Sequence, residues 1–145
     1  MQVLLDTNVV LDVLLERAPW FDDARALWQA HQAEQLTACI TATSLTTIAY
    51  ISQRLTDRPR ARQAVQLCLD TFVIIAVDRS ILERAQQLSG SDYEDNVQIA
   101  SAEAAGLDAV VTRDQDDFRG SPLPIWSPAD CRQRLADLRR ESPSQ

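Results

Sequence analysis

Apolar residues arrive along this chain in two rhythms. Short unbroken runs, Val3-Leu4-Leu5, Leu36 to Ile40, Phe72 to Val77 and Ala109-Val110-Val111, have the length and β-branched character of strands buried on both faces. Between them apolar positions recur three and four residues apart, the spacing of helices with one buried stripe. The pattern predicts a strand over 1–5, a helix over 9–17, and a second helix over 20–33 with Pro19 in its first turn. A strand over 36–40 follows, then a helix to Leu55 whose start is capped by the hydroxyls of Thr41 to Ser44. Thr56 to Pro59 reads as a turn, 60–69 as a helix, and 72–77 as a fully buried strand. Asp78 caps a helix to Leu88, and Ser89-Gly90-Ser91 breaks the chain before a small-residue helix that Gly106 closes. A strand over 109–112, a short turn at 116–118, an edge strand over 123–126 and a helix from Pro128 to Arg140 complete the order, with 141–145 a frayed tail. Strands alternating with helices imply an α/β fold, a three-layer α/β/α sandwich around a parallel sheet.

With 145 residues of which 46% are hydrophobic, the chain is expected to form a single domain, 1–145. Its apolar runs are too short to cross a bilayer and no secretory start precedes them, so a cytoplasmic protein is expected. Cys39, Cys68 and Cys131 are odd in number and lie far apart, which fits neither a disulfide framework nor a zinc site and points to buried thiols. His31 is the only histidine, which excludes a His-based triad or a His-rich metal site. The net charge of −7 argues against a general nucleic-acid binder. All 14 basic residues are arginine, however, and Arg54, Arg58, Arg60 and Arg62 form a local patch. That patch suits phosphate through its planar forks, or is simply a solvated helix face.

Three acids are placed where chemistry sits in open α/β sheets, at carboxyl ends of strands or the start of a helix. Asp6 ends the first strand, Asp114 follows the strand over 109–112, and Asp95 opens the small-residue helix. If the first and fourth strands are neighbours, Asp6 and Asp114 share one end of the sheet. Carboxylates gathered in one pocket repel one another and call for a hard cation, Mg²⁺ or Mn²⁺. Taken singly, each has an ordinary role in a turn or cap, and Asp92 is assigned mainly to capping the helix that carries Asp95. Asp92 and Asp95, three residues apart, share a helix face and can look into the same crevice.

Read in order, Val-Leu-Leu-Asp6-Thr7-Asn8-Val-Val-Leu-Asp12, then Asp92-Tyr-Glu-Asp95-Asn-Val-Gln98-Ile-Ala-Ser-Ala102, then Val-Val-Thr112-Arg-Asp114-Gln-Asp-Asp117-Phe118, this sequence resembles the PIN domain, in its branch related to VapC toxins. The resemblance implies a metal-dependent ribonuclease acting on RNA, a quartet of acids, and commonly a homodimer held in check by an antitoxin protein. By position, Asp6, Asp95 and Asp114 match the first, third and fourth acids, with Asn8 and Thr112 as supporting polar residues. Asp117 matches a turn position and ranks below those three as a ligand. The second acid is missing: Thr47 stands where Asp or Glu is expected.

Thr offers a neutral hydroxyl, so the pocket loses a charge and an anionic ligand. Two readings therefore compete, a Mg²⁺- or Mn²⁺-dependent RNA endonuclease and an impaired module that acts by binding RNA or a protein. A haloacid-type phosphatase also begins with a strand-end Asp, but that chemistry wants a second acid where Asn8 stands and commonly a Lys, which this chain lacks.

Overall fold

The computed structural model describes residues 1–142. Five parallel strands, β1 (Gln2–Leu5), β2 (Thr37–Thr41), β3 (Val73–Ile75), β4 (Ala109–Val111) and β5 (Ile125–Trp126), form one sheet in the order β3-β2-β1-β4-β5. Strand order reverses on either side of β1, so the crevice beyond β1 and β4 is a topological switch point. Helices cover both faces: α1 (Thr7–Leu14), α2 (Phe21–Gln32), α3 (Ala42–Leu55), α4 (Arg58–Thr71), α5 (Arg79–Gln87), α6 (Tyr93–Ala104) and α7 (Pro128–Glu141). The expected α/β/α sandwich is what the chain adopts.

The two-residue alternation of a strand explains how one short run builds two cores. Val3 and Leu5 point with Ala38, Ile40, Ala109 and Val111 toward α1, α2, α3, α4 and α7, where Leu27, Trp28, Ile48, Cys68 and Leu135 meet them. Leu4 points the other way with Cys39 and Val110, against Ile99 and Ala102 of α6 and against Phe118. The small side chains of α6 let it lie close to the sheet: Ala100 and Ala102 are buried, as is Ser101, which returns its hydroxyl to Val97 O. Each fully buried leucine or valine contributes about 1.5–3 kcal/mol of transfer free energy. The three cysteines are free and buried, as expected.

Several boundaries differ from the sequence reading, each for a local reason. The first helix begins at Thr7, immediately after Asp6, and ends at Leu14. Pro19 lies before the α2 N-cap, Trp20, and outside the helix. Arg58 and Pro59 belong to the first turn of α4, because Asp57 caps that helix by accepting from Arg60 N; proline fits a first turn, where its missing N–H is not needed. The run over 72–77 is not a fully buried strand: β3 is only Val73–Ile75, at the sheet edge, with Val73 46% exposed, while Phe72 leaves the strand to stack edge-on against Trp28. An apolar run cannot distinguish an edge from a centre, because pairing partners decide that. Glu141, expected in a frayed tail over 141–145, is still helical in α7, which opens with a capping box between Ser127 and Asp130; residues 143–145 lie outside the described residues. Among the described residues no helix is long and apolar enough to cross a membrane.

Candidate active site

β1 delivers Asp6 to the crevice. Its backbone N–H extends the β1–β4 ladder to Val111 O at 2.9 Å, and its carbonyl accepts the first bond of α1 from Val9. The side chain, 5% exposed, makes no cap bond to its own helix. Instead Gln98 Nε2 donates to Oδ1 at 2.9 Å and Thr112 Oγ1 donates to Oδ2 at 2.8 Å. Two donors from α6 and from the end of β4 thus fix both oxygens and leave each one with a free lone pair.

The turn after β4 delivers Asp114. Thr112 Oγ1 also accepts from Asp114 N at 3.0 Å, so one hydroxyl ties the turn after β4 to Asp6. Asn8 Nδ2 reaches Asp114 Oδ2 at 3.3 Å. Asn8 and Thr112, the two polar residues singled out beside the acids, thus bond Asp114 and Asp6.

Asp95 and Asp92 come from the start of α6, where Asp92 accepts from Asp95 N at 3.1 Å and serves as the N-cap. A cleft of about 250 Å³ is lined by Asp6, Asn8, Thr47, Asp95 and Asp114, together with Asp92, Glu94, Gln98, Asp117 and Phe118. Every acid singled out from the sequence borders it, and no basic residue does. Burial raises the Asp95 carboxyl to about 7, helped by the negative charges of Asp6, Asp92, Asp117 and Glu94. Burial likewise raises Asp6, against the pull of Gln98 and Thr112. Uncompensated negative charge in a half-buried, carboxylate-rich cleft is the environment that a hard divalent cation relieves. No three Asp, Glu, His or Cys side chains among the described residues converge closely enough to ligate one ion directly. The donor chemistry fits an ion that keeps most of its waters and touches one or two carboxylates, the habit of Mg²⁺.

Thr47 faces this cleft from α3, and its hydroxyl lies 3.2 Å from Glu94 Oε1 and 3.4 Å from Thr43 O. The arginine patch is elsewhere. Arg58 and Arg62 line a groove between α3 and α4, Arg54 bonds the hydroxyl of Tyr50, and Arg60 is 3.6 Å from Asp57. None of the four borders the acidic cleft. Trp28 is core, and Trp20, 39% exposed, lies beneath the Arg113 guanidinium at 3.6 Å. His31 is structural, with Nε2 2.6 Å from Thr71 O and Nδ1 accepting from Ala38 N.

Three residues, Gln98, Glu94 and Asp12, lie within the motifs read from the sequence but carry roles that the sequence reading did not assign. Gln98 is three residues after Asp95 on α6, a spacing that signals a shared face. Glu94 carries no such signal, since only the tertiary approach of α6 to α3 gives it a partner. Asp12 is a lone acid in the apolar α1 stretch, and that isolation was the clue. It is 1% exposed and holds Arg17 Nε at 2.7 Å; Arg113 Nε stands 3.1 Å away, within ion-pair range but out of line for a hydrogen bond. Arg17 passes the support on, its Nη2 lying 3.3 Å from Asn8 Oδ1.

Comparison with known proteins agrees with this architecture. No curated protein sequence matches the chain. Among solved structures, a toxin-antitoxin complex from Klebsiella pneumoniae is 25% identical with a TM-score of 0.64, covering 87% of this chain and 97% of that one. DNA-bound VapBC from Salmonella typhimurium is 18% identical with a TM-score of 0.70, covering 88% and 98%. VapC20 from Mycobacterium tuberculosis, described as a toxin that cleaves the sarcin-ricin loop, is 14% identical with a TM-score of 0.66, covering 79% and 92%. A sequence model described as PIN domain matches residues 2–116, which include Asp6, Asp95 and Asp114, and the chain belongs to the PIN domain family.

Proposed function

We propose that this protein is a Mg²⁺- or Mn²⁺-dependent RNA endonuclease, the toxin of a toxin-antitoxin pair, acting in the cytoplasm. The observation that carries the reading is the convergence of Asp6, Asp95 and Asp114 on one cleft without a basic residue, beyond the carboxyl ends of β1 and β4. Of these three side chains, one or two would touch the cation directly and the remainder would hold it through its waters. When bound, the ion would supply charge neutralisation and water activation for hydrolysis of a phosphodiester.

The chain's own residues do the positioning. Gln98 and Thr112 keep Asp6 in one rotamer, Thr112 also fixes the turn that presents Asp114, and Asn8 steadies the Asp114 carboxylate. The charge that repels bare phosphate from this cleft makes RNA binding depend on the cation. The antitoxin partner is supported by the structural relative described as a toxin-antitoxin complex. A homodimer is expected from the family resemblance.

The second reading, a PIN module that binds RNA or protein without cutting, is favoured by one observation: Thr47 occupies the α3 position that faces the cleft and brings no charge to it. Incubation of structured RNA with the protein in Mn²⁺ or in EDTA, with Asp6→Asn as control, separates the two. The nuclease reading expects cleavage only with metal and only by the parent. Equal cleavage by Asp6→Asn sinks the assignment, and RNA binding without cleavage moves the protein to the second reading.

A further inference from the structure

We propose that Glu94 supplies, from α6, the carboxylate that α3 lacks at Thr47, so that the cleft regains its fourth acid by a contribution from a different element. The inference rests on the metal-dependent reading above. Glu94 is one residue before Asp95 and four before Gln98, so its side chain leaves the first turn of α6 along the stripe that runs down the cleft wall. It crosses to α3, where Thr47 Oγ1 donates to Oε1 at 3.2 Å, a contact between residues 47 apart in sequence. The carboxylate is thereby held over the position at which an acid on α3 would project. A glutamate has the length for that crossing, and the Thr47 hydroxyl is the short, neutral donor that can receive it. The first turn of a helix also favours a negative side chain.

A group of acids alone would not make a site. The second observation is Gln98, which is 1% exposed and lines the same cleft. Its Nε2 is spent on Asp6, and its Oε1 has no hydrogen-bond partner among the described residues. A buried acceptor left unpaired beside acids points to a donor the chain does not provide, such as an ordered water of a bound ion. Glu94, Asp95 and Asp6 line the cleft together with Gln98, as do Asp92, Asp114 and Asp117.

The test is Mn²⁺ binding by titration calorimetry, with no RNA present. Glu94→Gln keeps the side chain's length and an oxygen to accept from Thr47, and Glu94 is exposed, so folding is preserved and thermal unfolding in EDTA should match the parent. Its affinity for Mn²⁺ should fall about tenfold, the scale on which supporting groups tune metal sites. Adding Thr47→Glu to that variant moves the carboxylate back to α3 and should restore binding. If Glu94→Gln binds Mn²⁺ as the parent does while Asp6→Asn does not, Glu94 is an ordinary surface acid and the proposal fails alone. If Asp6→Asn and Asp95→Asn also bind as the parent, the metal reading fails and takes the proposal with it.

Discussion

Replacing Asp12 with alanine should destabilise the protein by about 3 kcal/mol, although Asp12 does not border the cleft. The carboxylate is 1% exposed and faces two guanidiniums, Arg17 at 2.7 Å and Arg113 at 3.1 Å. Removing one member of a buried ion group leaves the remaining charge uncompensated, which typically costs 3–5 kcal/mol. The arginine side chains retain 28% and 17% exposure, so water takes up part of the load and the lower end applies. For a chain of this length that is a drop of roughly 10 °C in Tm. Urea unfolding followed by circular dichroism reads the change directly. A triple variant, Asp12→Leu with Arg17→Met and Arg113→Met, should recover most of the loss, because it removes the charges together. A cost below about 1 kcal/mol for Asp12→Ala, the worth of an exposed pair, would refute the reasoning.

Other outcomes follow from the same geometry. Thr112→Val removes the donor to Asp6 Oδ2 and the acceptor for Asp114 N, and should lower the urea-unfolding free energy by about 1–3 kcal/mol, with Thr112→Ser restoring it. In EDTA, Asp95 ionises near 7 when folded against 3.8 as its ordinary value, so the folded form holds the extra proton between those limits and stability falls as pH rises across that window. Tm measured in EDTA should therefore decline from the acid to the neutral side, and Asp95→Asn should flatten the decline. Gly90→Ala places a Cβ against Asn96 Oδ1, whose amide nitrogen caps Gly90 O, and should cost about 1–3 kcal/mol in thermal or urea unfolding.

What could be read from the sequence was whatever local chemistry encodes. The strand β4, the caps at Thr41, Asp78 and Asp92, and the αL glycine at Gly106 each carry their signal within a few residues, and each stands where expected. Asp6 and Asp114 could be placed together once β1 and β4 were taken as neighbours, and the sheet order bears that out. What depends on partners far along the chain was not legible. β3 looks like a central strand until its missing neighbour is known. Thr47 reads as a gap in the acid set because the sequence does not reveal how α6 approaches α3.

The Asp6–Thr112 and Asn8–Asp114 bonds each join residues 106 positions apart, across the central pair of strands. A polypeptide interrupted anywhere before β4 would possess β1 but lack the neighbour that completes its carboxyl end. The acidic cleft is thus assembled only when the segment carrying β4 and its turn has joined β1, a long-range step that local structure along the chain does not supply.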